Sequence, residues 1–242
     1  MLAFGSGYFY GISTAANSSP RKFAKLQDVQ FDLSFSNKSL LAQGQLPIDI
    51  RRGQGKFTGK AKAAEINAGL LNDLFFAQSQ STGLILSAVG ESGLIPATTT
   101  YIVTTVNSVT WTQDLGVVYA ATGVPFTRVA SGPTVGQYSV AAGVYTFAAA
   151  DAGLAVYIDY LYTSASGGNT ISLSNQQMGT TPTFTGIFTT TVSGKNLTLI
   201  LNQLTSSKLS LQSKNEDYTI PELDFEVMAD AANNIGKLSI TT

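Results

Sequence analysis

Alternation of apolar and polar residues with a period of two dominates this chain. Between Leu26 and Ser36, Val29, Phe31, Leu33 and Phe35 fall on one side, and Asp28, Gln30, Asp32 and Ser34 on the other. That is the pattern of a strand with one buried and one wet face. From Gly53 the same alternation puts Lys56, Thr58, Lys60 and Lys62 opposite Phe57, Ala61 and Ala63. The period then changes. Ile66, Leu70 and Leu74 recur four apart, with Leu71 and Phe75 beside them, and Glu65, Asn67 and Asp73 on the other side. This spacing predicts a short amphipathic helix over Ala64–Phe76, ended before the Gly and Ser of Ser79–Gly83. Near the C-terminus Leu223, Phe225 and Val227 alternate with Glu222, Asp224 and Glu226. A turn at Asn233–Gly236 and a closing strand at Lys237–Thr242 follow, and the two strands read as a hairpin.

Weaker signals fill the rest. Tyr8–Ile12 reads as a short strand inside an aromatic N-terminal stretch, Met1–Pro20, which is either a docking arm or a frayed end. Leu40–Ile50 reads as a strand region broken by Gly44 and Pro47, and Arg51-Arg52-Gly53 as a basic turn. Another strand is expected at Gly83–Val89. From Leu94 to Tyr162 the bases nearly vanish, leaving Arg128, and short strand signals recur at close spacing between turn signals. They fall at Thr98–Val106, Val109–Thr112, Gly116–Tyr119, Phe126–Val129, Gln137–Val140, Val144–Phe147 and Leu154–Tyr162. Ser164–Asn169 reads as a Gly/Ser loop. Strands resume at Thr170–Leu173, Thr183–Thr190 and Asn196–Leu201, while Leu204–Leu211 fits a strand or a short helix. The expected fold is mainly β, of antiparallel sheets in a sandwich, with one short flanking helix. Residues 1–90 and 164–242 would form the core, and 91–163 a β-rich insertion or second small β domain.

Composition narrows the chemistry. Among 242 residues only 12% are charged and the net charge is −1. A surface so poor in charge suits a protein that packs against neighbours. The balance argues against a duplex-DNA binder that works by neutralising phosphates. Histidine and cysteine are both absent. A Ser–His triad, a thiolate nucleophile and Cys-ligated zinc are therefore excluded. Gly55-Lys56-Phe57-Thr58-Gly59-Lys60 departs from the phosphate loop: three residues separate the glycines and Ala61 follows Lys60. No enzyme activity, cofactor or metal is expected. No secretory signal is visible, and the apolar stretch Leu84–Val89 is far too short to span a bilayer.

Three stretches resemble the phage tail tube family: the strand–helix unit Gly53–Phe76, the segment Gly136–Thr163 (GQYSVAAGVYTFAAADAGLAVYIDYLYT) and the C-terminal Pro221–Thr242. The likeness lies in the texture of these segments and transfers no functional residue. It implies a virion structural protein, assembled in the host bacterial cytoplasm and residing in the tail. Its partners would be copies of itself in stacked hexameric rings, other tail proteins, and viral DNA that slides through the lumen without specific binding. A different reading is a capsid decoration or host-binding β module of a phage particle. An enzyme such as a virion hydrolase is a third, against which the missing histidine counts.

Two like-charge rows remain as candidate site residues. The basic row is Lys56, Lys60 and Lys62; the acidic residues are Asp28, Asp32, Glu222, Asp224 and Glu226. Two residues apart on a strand, the carboxylates stand side by side on a surface and not across a cleft. The rows relieve their repulsion by pairing across strands of one sheet or by meeting between subunits. Alternatively the acids line a lumen that offers phosphate no cationic partner.

Overall fold

The structure, a computed structural model, describes residues 7–15, 18–23, 25–65, 67–211, 215–216, 218 and 220–241. Part of the stretch Met1–Pro20, and Ile66 of the helical stripe, lie outside them. In chain order the strands are β1 (Tyr8–Ser13), β2 (Arg21–Lys22), β3 (Leu26–Leu40), β4 (Asp49–Ala63), β5 (Gln80–Leu94), β6 (Ile102–Thr104), β7 (Trp111–Tyr119) and β8 (Thr127–Arg128). They continue as β9 (Gln137–Ala141), β10 (Val144–Phe147), β11 (Ala155–Ile171), β12 (Phe184–Val192), β13 (Lys195–Ser210), β14 (Glu222–Met228) and β15 (Gly236–Ile240). One α-helical turn, α1 (Ala68–Leu71), runs into a π-helical turn at Asn72–Phe76. The molecule is mainly β, with antiparallel sheets and one short helix. Among the described residues no helix is long and apolar enough to cross a membrane.

The chain forms two compact units, 1–80 with 171–242, and 81–170. In the first, the sheet order is β2-β1-β12-β13-β14-β4-β3, and β15 also pairs with β13. Its core gathers Phe9, Phe23, Ala61, Leu70, Leu74, Phe184, Leu201, Leu204, Leu223 and Phe225. Phe9 sits with its ring centroid 4.5 Å from that of Phe23 and 5.5 Å from that of Phe225. Leu70 and Leu74 put the helical segment onto this core, as the four-residue spacing requires. The helix begins later than Ala64. Ala64 still donates its backbone N–H to Lys25, and Asn67 caps the helix by accepting from the N–H of Gly69. Arg21 reaches Asp73 at 2.6 Å and ties β2 to the helical segment.

Three local readings are corrected. Leu40–Ile50 is the end of a hairpin and not a second strand: β3 and β4 pair from Leu26–Ala63 out to Leu40–Asp49, and the Ile48 N–H closes on the Leu40 carbonyl. The Gly44 and Pro47 breaks mark its turn. Arg51-Arg52-Gly53 therefore lies within β4, with Arg51 opposite Lys38 and Arg52 opposite Asn37. The C-terminal strands do not form a hairpin. β14 pairs with Gln203–Ser210 of β13, and β15 with Leu197–Leu201. They lie end to end along one edge of a sixteen-residue strand long enough for two partners. The connection between them is held by Asp230, which accepts from the N–H groups of Ala232 and Asn234 and from the Asn202 side chain.

In the second unit, sheets β5-β11-β7 and β6-β10-β9-β8 share a core of Ile95, Val117, Phe126, Tyr138, Tyr145, Phe147, Val156, Ile158 and Tyr160. Here Ser164–Asn169 continues β11 and is not a loop. The glycines allow close approach, since a Cβ on Gly168 would press into Leu84. Expected strands shrink or merge: Thr98–Val106 is ordered as strand only at Ile102–Thr104, and Val109–Thr112 becomes a 3-10 turn leading into β7. A polar network lies inside. Asp114 accepts from Tyr138 Oη at 2.7 Å, Tyr145 Oη at 3.0 Å and the Gly116 N–H, with Arg128 3.6 Å away. Burial, then the Asp114 carboxylate, pushes the Tyr138 hydroxyl far above its ordinary range. Tyr145 is likewise raised, chiefly by burial.

Candidate assembly surface

The two like-charge rows meet inside one molecule. β14 lies against β4, with Glu222 opposite Lys62, Asp224 opposite Lys60 and Glu226 opposite Thr58. On the other side of β4, Asp28 faces Lys62, Gln30 faces Lys60 and Asp32 faces Thr58. Beyond β14, Lys208 of β13 faces Asp224. Since paired residues share a face of a sheet, acids and bases interleave on the polar side while Ala61, Leu223 and Phe225 fill the core side. Lys56 Nζ reaches Glu226 at 3.0 Å, and Lys60 Nζ reaches Glu222 at 3.6 Å. Both pairs are half-exposed, so each contributes about 1 kcal/mol or less. The Gln30 amide donates to Asp32 at 2.8 Å. A cleft of about 200 Å³ opens between these side chains, lined by Asp32, Lys56, Thr58, Lys60, Asp224 and Glu226. Among the described residues one buried side-chain oxygen, Asp224 Oδ1, has no hydrogen-bond partner.

The five candidate acids and three candidate bases thus form one surface. Lys208 joins them through a register that spacing along the chain could not reveal. Five carboxylates against four ammonium groups leave this face at −1. It is polar and close to neutral, with no cationic surplus. Among the described residues no cluster of three or more His, Cys, Asp or Glu side chains is placed to hold a metal.

A second surface was not anticipated from the pattern. Val29, Phe31 and Phe57 pack on the core, and the same apolar row continues outward as Leu33 and Phe35. There the core has ended. β14 pairs with β4 only between Thr58 and Lys62. Past that point β3 and β4 have no sheet partner but each other among the described residues. The hairpin runs on past its last β14 partner over Leu33–Leu40 and back through Asp49–Phe57, about 25 Å at strand rise. It carries Leu33, Phe35, Leu40, Leu41, Leu46, Ile48 and Ile50, all exposed, with Leu46 79% accessible. Arg52 covers one face of Phe35, its guanidinium carbon 4.9 Å from the ring centroid. Two alternating runs joined by a Gly- and Pro-containing stretch were a hairpin signal, but nothing local says that the sheet ends partway along it.

No protein-family model and no curated protein sequence matches this chain.

Proposed function

We propose that this protein is a self-assembling virion subunit of the phage tail-tube type, whose copies join into stacked rings around a conduit for DNA. The observation that carries the reading is the β3–β4 arm. Its apolar row passes from a packed core into solvent, and among the described residues its outer backbone edges have no strand partner. Fully burying an aliphatic side chain contributes about 1.5–3 kcal/mol, so an arm with this many uncovered gains most by inserting into a neighbour. The arm would be received by a different part of the neighbouring copy and not by that copy's own arm. Such a contact is head-to-tail and repeats around a ring or along a stack.

The polar face of β3, β4 and β14 suits a lumen. Asp28, Asp32, Glu222, Asp224 and Glu226 are interleaved with four lysines at a net charge of −1, so the surface neither grips phosphate nor strongly repels it. The hexameric ring and the tail location follow from the sequence resemblance to tube proteins.

Sedimentation across a concentration series, with negative-stain microscopy of the same samples, tests the reading. Rings or hollow tubes of uniform width are expected. A species that stays monomeric alone and binds preformed capsids would overturn it in favour of a decoration module.

A further inference from the structure

We infer that the free edge of β15 is the receiving edge for β3 of a second copy, which would join neighbouring subunits by strand addition. The inference rests on the self-assembly reading and names the strands involved. β14 and β15 follow one another along β13. β4 runs antiparallel to β14 and continues past it in the direction of β15, yet on that side it pairs with β14 alone, its other side being taken by β3. Among the described residues β15 thus has β13 on one side and no strand on the other. Four of its five residues are exposed, including Leu238 and Ile240. An unpaired row of backbone groups flanked by uncovered aliphatic side chains is a template for another strand.

Charge selects the occupant. β15 carries Lys237, and the run of β4 beyond β14, which pairs with β3 alone, carries Arg51, held by Asp49, Lys56, held by Glu226, and Arg52, which has no ion pair among the described residues. These like charges disfavour closing β4 onto β15 within one molecule. They favour an acidic strand from outside. β14 is acidic but already has β13 and β4 on its two sides. β3 carries Asp28, opposite Lys62, and Asp32; neither is held in an ion pair to lysine or arginine, and the outer edge of β3 has no strand partner, among the described residues. It also brings exposed Leu33 and Phe35 to match Leu238 and Ile240. A β15–β3 contact uses two different edges, so it repeats from copy to copy and leaves no self-complementary dimer.

The absence of cysteine gives a clean background for the test. The Ser239→Cys protein is mixed with the Gln30→Cys, Asp32→Cys or Ser34→Cys protein, assembled, oxidised and run on a non-reducing gel. All four positions are exposed, so the variants fold as the parent does. A disulfide-linked heterodimer in at least one mixture is expected, with its yield cut at least tenfold by adding Lys237→Asp to the Ser239→Cys partner. Rings or tubes that form without any cross-link would overturn the β15–β3 pairing and leave the assembly reading standing. Efficient cross-linking of Ser239→Cys to itself would overturn the pairing in favour of a two-fold contact. Absence of assembly at every concentration would overturn both.

Discussion

The arm offers the sharpest test of how this protein works. Leu46 and Ile48 near its tip are 79% and 68% accessible. Full burial of such side chains contributes about 1.5–3 kcal/mol, so covering the accessible parts yields about 1.2–2.4 and 1.0–2.0 kcal/mol respectively. The double substitution Leu46→Ser/Ile48→Ser should therefore weaken one subunit contact by about 2–4 kcal/mol. That is on the order of 30- to 1,000-fold in an association constant. The isolated subunit should hardly notice, because exposed substitutions away from caps and cores fall within about 0.5 kcal/mol. Sedimentation velocity over a concentration series reads the first quantity as a rise in the concentration needed for assembly. Urea unfolding of the unassembled protein reads the second. Assembly at the parental concentration would refute the assignment of the arm to the subunit contact. A loss of several kcal/mol in the isolated protein would refute the premise that these side chains are uncovered.

Other expectations follow from the packing. Gly59→Ala would drive a Cβ into the Phe225 ring, and should cost about 1–3 kcal/mol in urea unfolding because both residues sit in a filled core. Lys56→Ala removes a half-exposed ion pair with Glu226 and should cost no more than about 1 kcal/mol by the same assay. Asp114→Ala strips the acceptor from two buried tyrosine hydroxyls, and should lower stability by about 1–3 kcal/mol for each hydroxyl left unpaired. Tyr138 and Tyr145 are raised above their ordinary pKa near 10, so their contribution is intact below that pH. It is lost above it, where the unfolded chain ionises first. Thermal unfolding from pH 8 to 11 should show a decline beginning near pH 10 that flattens in the Tyr138→Phe/Tyr145→Phe double variant.

Reversing Glu222, Asp224 and Glu226 to lysine is a poor probe of the lumen, because β4 already places Lys60 and Lys62 opposite two of them. Asp28→Lys with Asp32→Lys is cleaner: neither aspartate is held by an ion pair to lysine or arginine among the described contacts. The change should also weaken assembly through the β15–β3 contact, and the particles that do form should eject DNA more slowly. Normal ejection rates would argue against these residues lining the bore.

Much of the fold was legible in the sequence because side-chain alternation is a local consequence of the strand. Val29 to Phe35 and Leu223 to Val227 announce their faces without knowledge of any partner. The helix was legible for the same reason, and its start shifted to Asn67 only because Ala64 is still held by the strand geometry at Lys25. Missing histidine and cysteine are likewise properties of the chain alone, and they dispose of whole classes of chemistry. Partners are not local. That Glu222, Lys62 and Asp28 stand in one row, that β14 and β15 share an edge of β13 without touching each other as a hairpin, and that Ser164–Asn169 is strand were decided by register and close approach between distant segments. The arm shows the division most plainly. The sequence determined that Leu33 and Phe35 continue the apolar row of Val29 and Phe31. Only the tertiary structure decided that the core stops between them, because β14 reaches no further along β4 than Thr58.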